Sequence, residues 1–104
     1  QYQSGDEDNP QRSLKQALLR AIHDMEDNYG LQTELVIDQD ILIENVELHD
    51  IMRVVGEALM NVVKHANTNQ AMIETMIDDH MLTVKITDHG SLFKPGAILS
   101  NHYG

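Results

Sequence analysis

Glu57, Asn61 and Lys64, spaced by four and three with His65 beside them, are the residues whose types and spacing could share chemistry. A carboxylate can order water or act as a base, an amide oxygen can ligate a hard cation, and an ammonium can meet phosphate. Mg²⁺ is usually held by few protein groups together with substrate phosphates and waters, so a single Asn oxygen can suffice. The same pattern also describes a plain solvated helix face. A second group, Asp88-His89-Gly90, follows an apolar stretch. There a carboxylate can accept from a base amine while the glycine lets the backbone approach a ligand, although Asp-x-Gly is also a common turn.

These groups need elements to hold them. Between Val46 and Ala66, residues Leu48, Met52, Val55, Leu59, Val62 and Ala66 fall within about 40° of one line at roughly 100° per residue, which predicts a helix burying that face. On the same wheel Glu57, Asn61 and Lys64 lie opposite, within about 60° of one another, and His65 stands at their edge. An earlier helix is predicted from Ser13 to Tyr29 by Leu14, Ala17, Leu18, Ala21, Ile22 and Met25, with Asn28 to Gly30 as its stop. Leu31 to Asp38 alternates as a strand does, Asp38-Gln39-Asp40 reads as a turn, and Ile41-Leu42-Ile43 is apolar without a defined type. Gln70 to Ile77 and Met81 to Thr87 predict an antiparallel hairpin closed by Asp78-Asp79-His80. After Gly90 periodicity is lost, and Lys94-Pro95-Gly96 argues for a loop. Residues 1–10 read as a polar tail.

Composition narrows the function classes. The 104 residues include 17 acidic and 7 basic ones, for a net charge of −10, and the cations are scattered from Arg12 to Lys94. Such a surface repels nucleic acid. No Cys is present, which excludes disulfides and thiolate zinc sites. No uncharged apolar run exceeds three residues, against the ~20 that a membrane helix needs. The six His show no i,i+4 pairing of the kind a helical metal site uses, and the Met residues at 52, 60, 72, 76 and 81 are expected to fill core gaps.

The stretch from Val55 to Ala66, with its Glu-x-x-x-Asn-x-x-Lys-His-Ala string, resembles the asparagine box of sensor histidine kinases, in the ATPase superfamily shared with gyrase. Asp88 to Phe93 resembles the first glycine box of that family, and Ser100 to Gly104 is similar to the start of the second glycine box in nitrate/nitrite sensor kinases. The resemblance covers residues 12–104. It implies an α/β chain with an α+β two-layer sandwich, the Bergerat ATP-binding fold, in which the two helices cover one face of a mixed sheet and ATP lies between the long helix and a lid. It also implies that residues 11–104 are the catalytic ATP-binding domain, cut at the second glycine box before its closing strands. Asn61 would coordinate the Mg²⁺ that bridges the phosphates, and Glu57 would order a metal-bound water or act as base. Lys64 and His65 would lie near phosphates or ribose, Asp88 would accept from the adenine amino group, and Gly90 would let the loop reach the ring. His102 and Gly104 would belong to the second glycine-box part of the site.

Further expectations follow from the resemblance. The reaction would move the γ-phosphoryl of MgATP to a His on a separate dimerisation domain, and then to a response regulator. The full-length protein would be a membrane-anchored bacterial homodimer with this domain in the cytoplasm. His89 stands where the family usually has Asn, and Leu92 where it has a second Gly. Leu at 92 resists positive φ and adds bulk beside the purine site. An alternative therefore keeps the fold and drops catalysis: a degenerate ATPase-like module acting in protein–protein regulation. His23 and His49, each followed by Asp, imitate a phosphoacceptor box, but they precede Asn61 by only 38 and 12 residues, inside helices of the domain itself, and are expected to be ordinary surface histidines.

Overall fold

The computed structural model describes residues 10–88 and 95–102. In chain order they form β1 (Gln11–Ser13), α1 (Leu14–Tyr29), β2 (Gln32–Ile37), β3 (Leu42–Glu44), α2 (Asn45–His65), β4 (Gln70–Asp78), β5 (Met81–Asp88) and β6 (Pro95–His102). A four-stranded mixed sheet has the order β2-β4-β5-β6, with β2 and β4 parallel and the other pairs antiparallel. The parallel pair needs a crossover, which β3 and α2 supply. α1 packs on β2 and α2 packs on β5 and β6, so both helices cover one face of the sheet. The α+β two-layer arrangement expected from the sequence is present.

Alternation sets the two faces of the sheet. Ala71, Ile73 and Thr75 of β4 and Leu82, Val84 and Ile86 of β5 are buried beneath the helices together with Leu14, Leu18, Leu31, Val55 and Leu59. The outer face carries Val36 and Met76, both exposed, and a cross-strand pair in which Lys85 Nζ lies 3.5 Å from Glu74 Oε1. Met76 is thus no core filler, because its strand parity turns it away from the helices.

Helix ends are defined by local chemistry. Ser13 Oγ accepts from the Gln16 N–H at 3.0 Å and caps α1. Gly30, at φ 71° and so in the left-handed region, ends it, with its N–H donating to the Glu26 carbonyl at 2.9 Å. Between β4 and β5, Asp79 and His80 both take positive φ, 54° and 64°, as a two-residue primed turn requires.

Three expectations change. A short strand at Gln11–Ser13 pairs with Leu42–Glu44, which gives the undefined apolar segment its role. The buried stripe of α2 also takes in Ile51 and Ala58, turning it by about 30° on the helical wheel, because α1 as well as the sheet covers this helix. Finally, Pro95–His102 is a strand rather than a loop. Pro95 stands at its first position, where a missing N–H costs least, and an irregularity between Ile86 and Thr87 absorbs Gly96.

Candidate functional site

α2 positions the first group of predicted site residues. No side chain caps its N-terminus; instead the Asn45 N–H donates to the Pro10 carbonyl at 3.0 Å. Glu47 in the first turn and Lys64 and His65 in the last complement the helix dipole. At Ala66 the chain turns extended, and the Gln70 N–H donates to Thr68 Oγ1 at 3.2 Å as β4 begins. Glu57, Asn61, Lys64 and His65 are all exposed, on the side of α2 away from its buried stripe. They form a line of carboxylate, amide and cation along the last three turns.

Glu57 has a neighbour that the sequence reading did not include among the site residues. Arg53 Nη1 lies 3.7 Å from its Oε2, an exposed i,i+4 pair whose spacing is visible in the sequence. At such exposure the pair contributes little to stability, so Glu57 is held only lightly.

Asp88 comes to the same end of the domain by a separate route. It is the last residue of β5 and pairs with Ala71, one residue into β4, which in turn begins five residues after the end of α2. Opposed residues of an antiparallel pair share a face, and Ala71 is buried under the helices, so Asp88 stands on the helix-covered face and is half-buried. The C-terminal end of α2 and Asp88 therefore border one region. Beside it, a cavity of about 340 Å³ is lined by Gln32, Thr33, Glu34, Gln70 and Ala71. The Thr33 hydroxyl is buried there without a hydrogen-bond partner among the described residues. The signal that could have found it is a polar residue at an inward position of an alternating strand.

His102 is placed elsewhere. Its backbone pairs with Met81, at the hairpin end of β5, seven residues and roughly 24 Å from Asp88 at the usual strand rise. β6 runs antiparallel to β5, so the backbone of His102 stands at the opposite end of β5 from Asp88. Gly90 and Gly104, with His89 and Leu92, lie outside the described residues. Among the described residues no group of three or more His, Asp or Glu forms a metal cluster. His23 and His49 are exposed, and His23 Nε2 lies 3.3 Å from Asp27 Oδ2.

No protein-family profile matches the chain. Sequence comparison does find relatives. Sensor histidine kinase LiaS of Bacillus subtilis is 27% identical over 93 residues, 89% of this chain. The signal transduction histidine-protein kinase/phosphatase UhpB of Salmonella typhimurium is 33% identical over 88 residues, 82% of the chain. The nitrate/nitrite sensor protein NarX of Escherichia coli is 27% identical over 63 residues, 61% of the chain. The chain's relatives are sensor histidine kinases. The matched segments make up 26% of LiaS, 17% of UhpB and 10% of NarX, so this chain corresponds to a small part of each. Its fold is shared with part of a solved kinase: histidine kinase AdeS of Acinetobacter baumannii superposes with a TM-score of 0.62 at 16% identity, covering 79% of this chain and 42% of AdeS. No helix among the described residues is long and apolar enough to cross a membrane.

Proposed function

We propose that residues 11–104 are the ATP-binding catalytic domain of a sensor histidine kinase, working within two-component signal transduction. The observation that carries the reading is one of topology: the exposed line of Glu57, Asn61 and Lys64 runs to the end of α2 that lies at the same end of the domain as Asp88, the last residue of β5. Histidine-kinase relatives and the fold shared with AdeS support it.

The donor set fits magnesium nucleotide. An exposed amide oxygen at Asn61 and a cation one turn later match a metal held mainly by phosphates and water. When bound, MgATP supplies the phosphoryl group and the divalent charge that neutralises it. Asn61 holds the metal through its side-chain oxygen. Glu57, loosened by its weak tie to Arg53, orders a water or receives a proton at its carboxylate. Lys64 offers a positive charge to phosphate, and Lys64 and His65 offer donors to phosphate or ribose. Asp88 accepts from the base amine, and Gly90 lets the following loop come close to the ring. The chain's own part is positioning and charge neutralisation. The phosphoryl acceptor is a His on a separate dimerisation domain, and the next carrier an Asp of a response regulator. A membrane-anchored homodimer with this domain in the cytoplasm is the setting we infer. Nitrate or nitrite as the signal is the finest part of the proposal, supported by the NarX match and by the Ser100–Gly104 ending.

Calorimetric titration of MgATP into the chain tests the reading. Saturable binding that needs Mg²⁺ and is weakened in Asn61→Ala is expected; no heat at millimolar nucleotide would sink it. For the signal, nitrate should change autophosphorylation of the full-length protein, and indifference to nitrate would remove that part alone.

A further inference from the structure

At the other end of α2, β1, α1 and the start of α2 border a cavity of about 470 Å³. β1 contributes Gln11 and Arg12, α1 contributes Gln16 and Arg20, and Ala17 and Leu48 supply apolar surface. The chain has only three arginines, and two of them line this one space. The third, Arg53, is paired with Glu57. Among the described residues neither Arg12 nor Arg20 has a carboxylate within ion-pair distance. Arg12 Nε instead donates to Asn45 Oδ1 at 3.1 Å, a bond that orients the guanidinium without neutralising it. Two guanidiniums at one cavity, without a paired carboxylate among the described residues, run against a net charge of −10.

We propose that this cavity is a binding site for a small ligand bearing an oxyanion, phosphate or carboxylate, held by Arg12 and Arg20 with Gln11 and Gln16 completing its polar contacts. A guanidinium presents a planar fork of donors that matches paired oxygens, so both ligand types share the recognising chemistry. The volume lies within the roughly 300–1,000 Å³ usual for small-molecule sites, and Ala17 and Leu48 give an apolar wall. Leu48 and Asn61 are 13 residues apart on α2, about 20 Å at the helical rise, so this site is separate from the proposed nucleotide site and does not depend on it. A bound anion would bridge β1 to α1.

Inorganic phosphate and succinate, titrated separately into the ¹⁵N-labelled chain at low ionic strength, distinguish the two sources. Saturable amide shifts confined to residues 11–20 and the neighbourhood of Leu48 are expected, with half-saturation near 1 mM, on the order of what two charged hydrogen-bonding groups supply. Arg20→Gln should weaken binding roughly tenfold, whereas Lys85→Gln should leave it unchanged. Saturation by phosphate alone assigns a phosphate ligand, and saturation by succinate alone a carboxylate. No saturable shift with either anion, or equal shifts in Arg20→Gln with its folded circular-dichroism spectrum intact, would overturn the proposal.

Discussion

The two ends of α2 are built on opposite principles. Near its N-terminal end one set of polar groups is used inside the protein, beside the cavity lined by Arg12 and Arg20. Asp40 accepts from Ser13 Oγ at 2.5 Å and from the Lys15 N–H at 2.9 Å, the Leu14 N–H donates to the Ile41 carbonyl at 3.0 Å, and Pro10 caps Asn45. At its C-terminal end Glu57, Asn61, Lys64 and His65 are exposed, and among the described residues Glu57 pairs only with the likewise exposed Arg53. Internal hydrogen bonds fix a backbone, while groups left facing solvent remain available to a ligand. The Asp40 network holds the fold, while Glu57, Asn61, Lys64 and His65 at the other end are all presented to solvent.

Substitutions should therefore separate by readout. The largest effect is expected for Asn61→Ala at the presenting end: Mg²⁺-dependent ATP affinity should fall by about 10- to 100-fold, as losses at metal sites commonly do, while thermal stability stays within about 0.5 kcal/mol because the residue is exposed. Calorimetry and thermal melts on the same samples would show this. A large loss of stability with unchanged affinity would reverse the assignment of the two ends.

Asp40→Ala should behave in the opposite way. It removes a carboxylate from the start of α1 and two acceptors with it, costing about 1–2 kcal/mol by chemical denaturation, with nucleotide affinity of the folded protein unchanged. The pH dependence sharpens the point. The Ser13 hydroxyl bond is the main cause that holds the Asp40 carboxyl below its ordinary value; partial burial opposes it, and the Lys15 and Ile41 N–H groups with the Lys15 charge add to the lowering. A carboxyl with a depressed folded pKa stabilises above its unfolded value, about 3.9, and loses that contribution as pH falls through the lower folded value. Wild type and Asp40→Asn should thus differ most at neutral pH and converge in acid below that range. Parallel stability curves from pH 7 to pH 2 would refute this role.

Much of this was legible in the sequence, for reasons that differ by region. Long amphipathic helices and an alternating hairpin repeat their signal many times, so α1, α2, β4 and β5 could be placed within a residue or so. β1 and β3 are three residues each, and they exist because they pair with one another across 30 residues of sequence, which no local pattern records. β6 was hidden by Pro95-Gly96, whose usual meaning is a break, whereas its edge position and a bulge make it tolerable. In the site, Glu57, Asn61 and Lys64 were readable from helical spacing, as they belong to one element. That Asp88 falls at the same end of the domain depends on strand order and register, and the placement of His102 at the far end of β5 depends on them as well.

The smallest expected effect tests whether the presenting end tolerates stiffening. Gly56 lies inside α2, next to Glu57, and a Cβ added there would meet nothing within 4 Å. A mid-helix glycine lowers stability because it loses more backbone freedom on folding than alanine does. Gly56→Ala should therefore raise stability by about 0.5–1 kcal/mol. Gly30, at φ 71°, should respond with the opposite sign, since any side chain in that left-handed position is strained. If Gly56→Ala also leaves MgATP affinity unchanged, α2 serves the site as a rigid rail, and the glycine has no part in function. If affinity falls while stability rises, the helix must bend at Gly56 to bring Glu57 and Asn61 onto the ligand, and the contrast between a fixed end and a presenting end becomes one between a rigid half-helix and a yielding one.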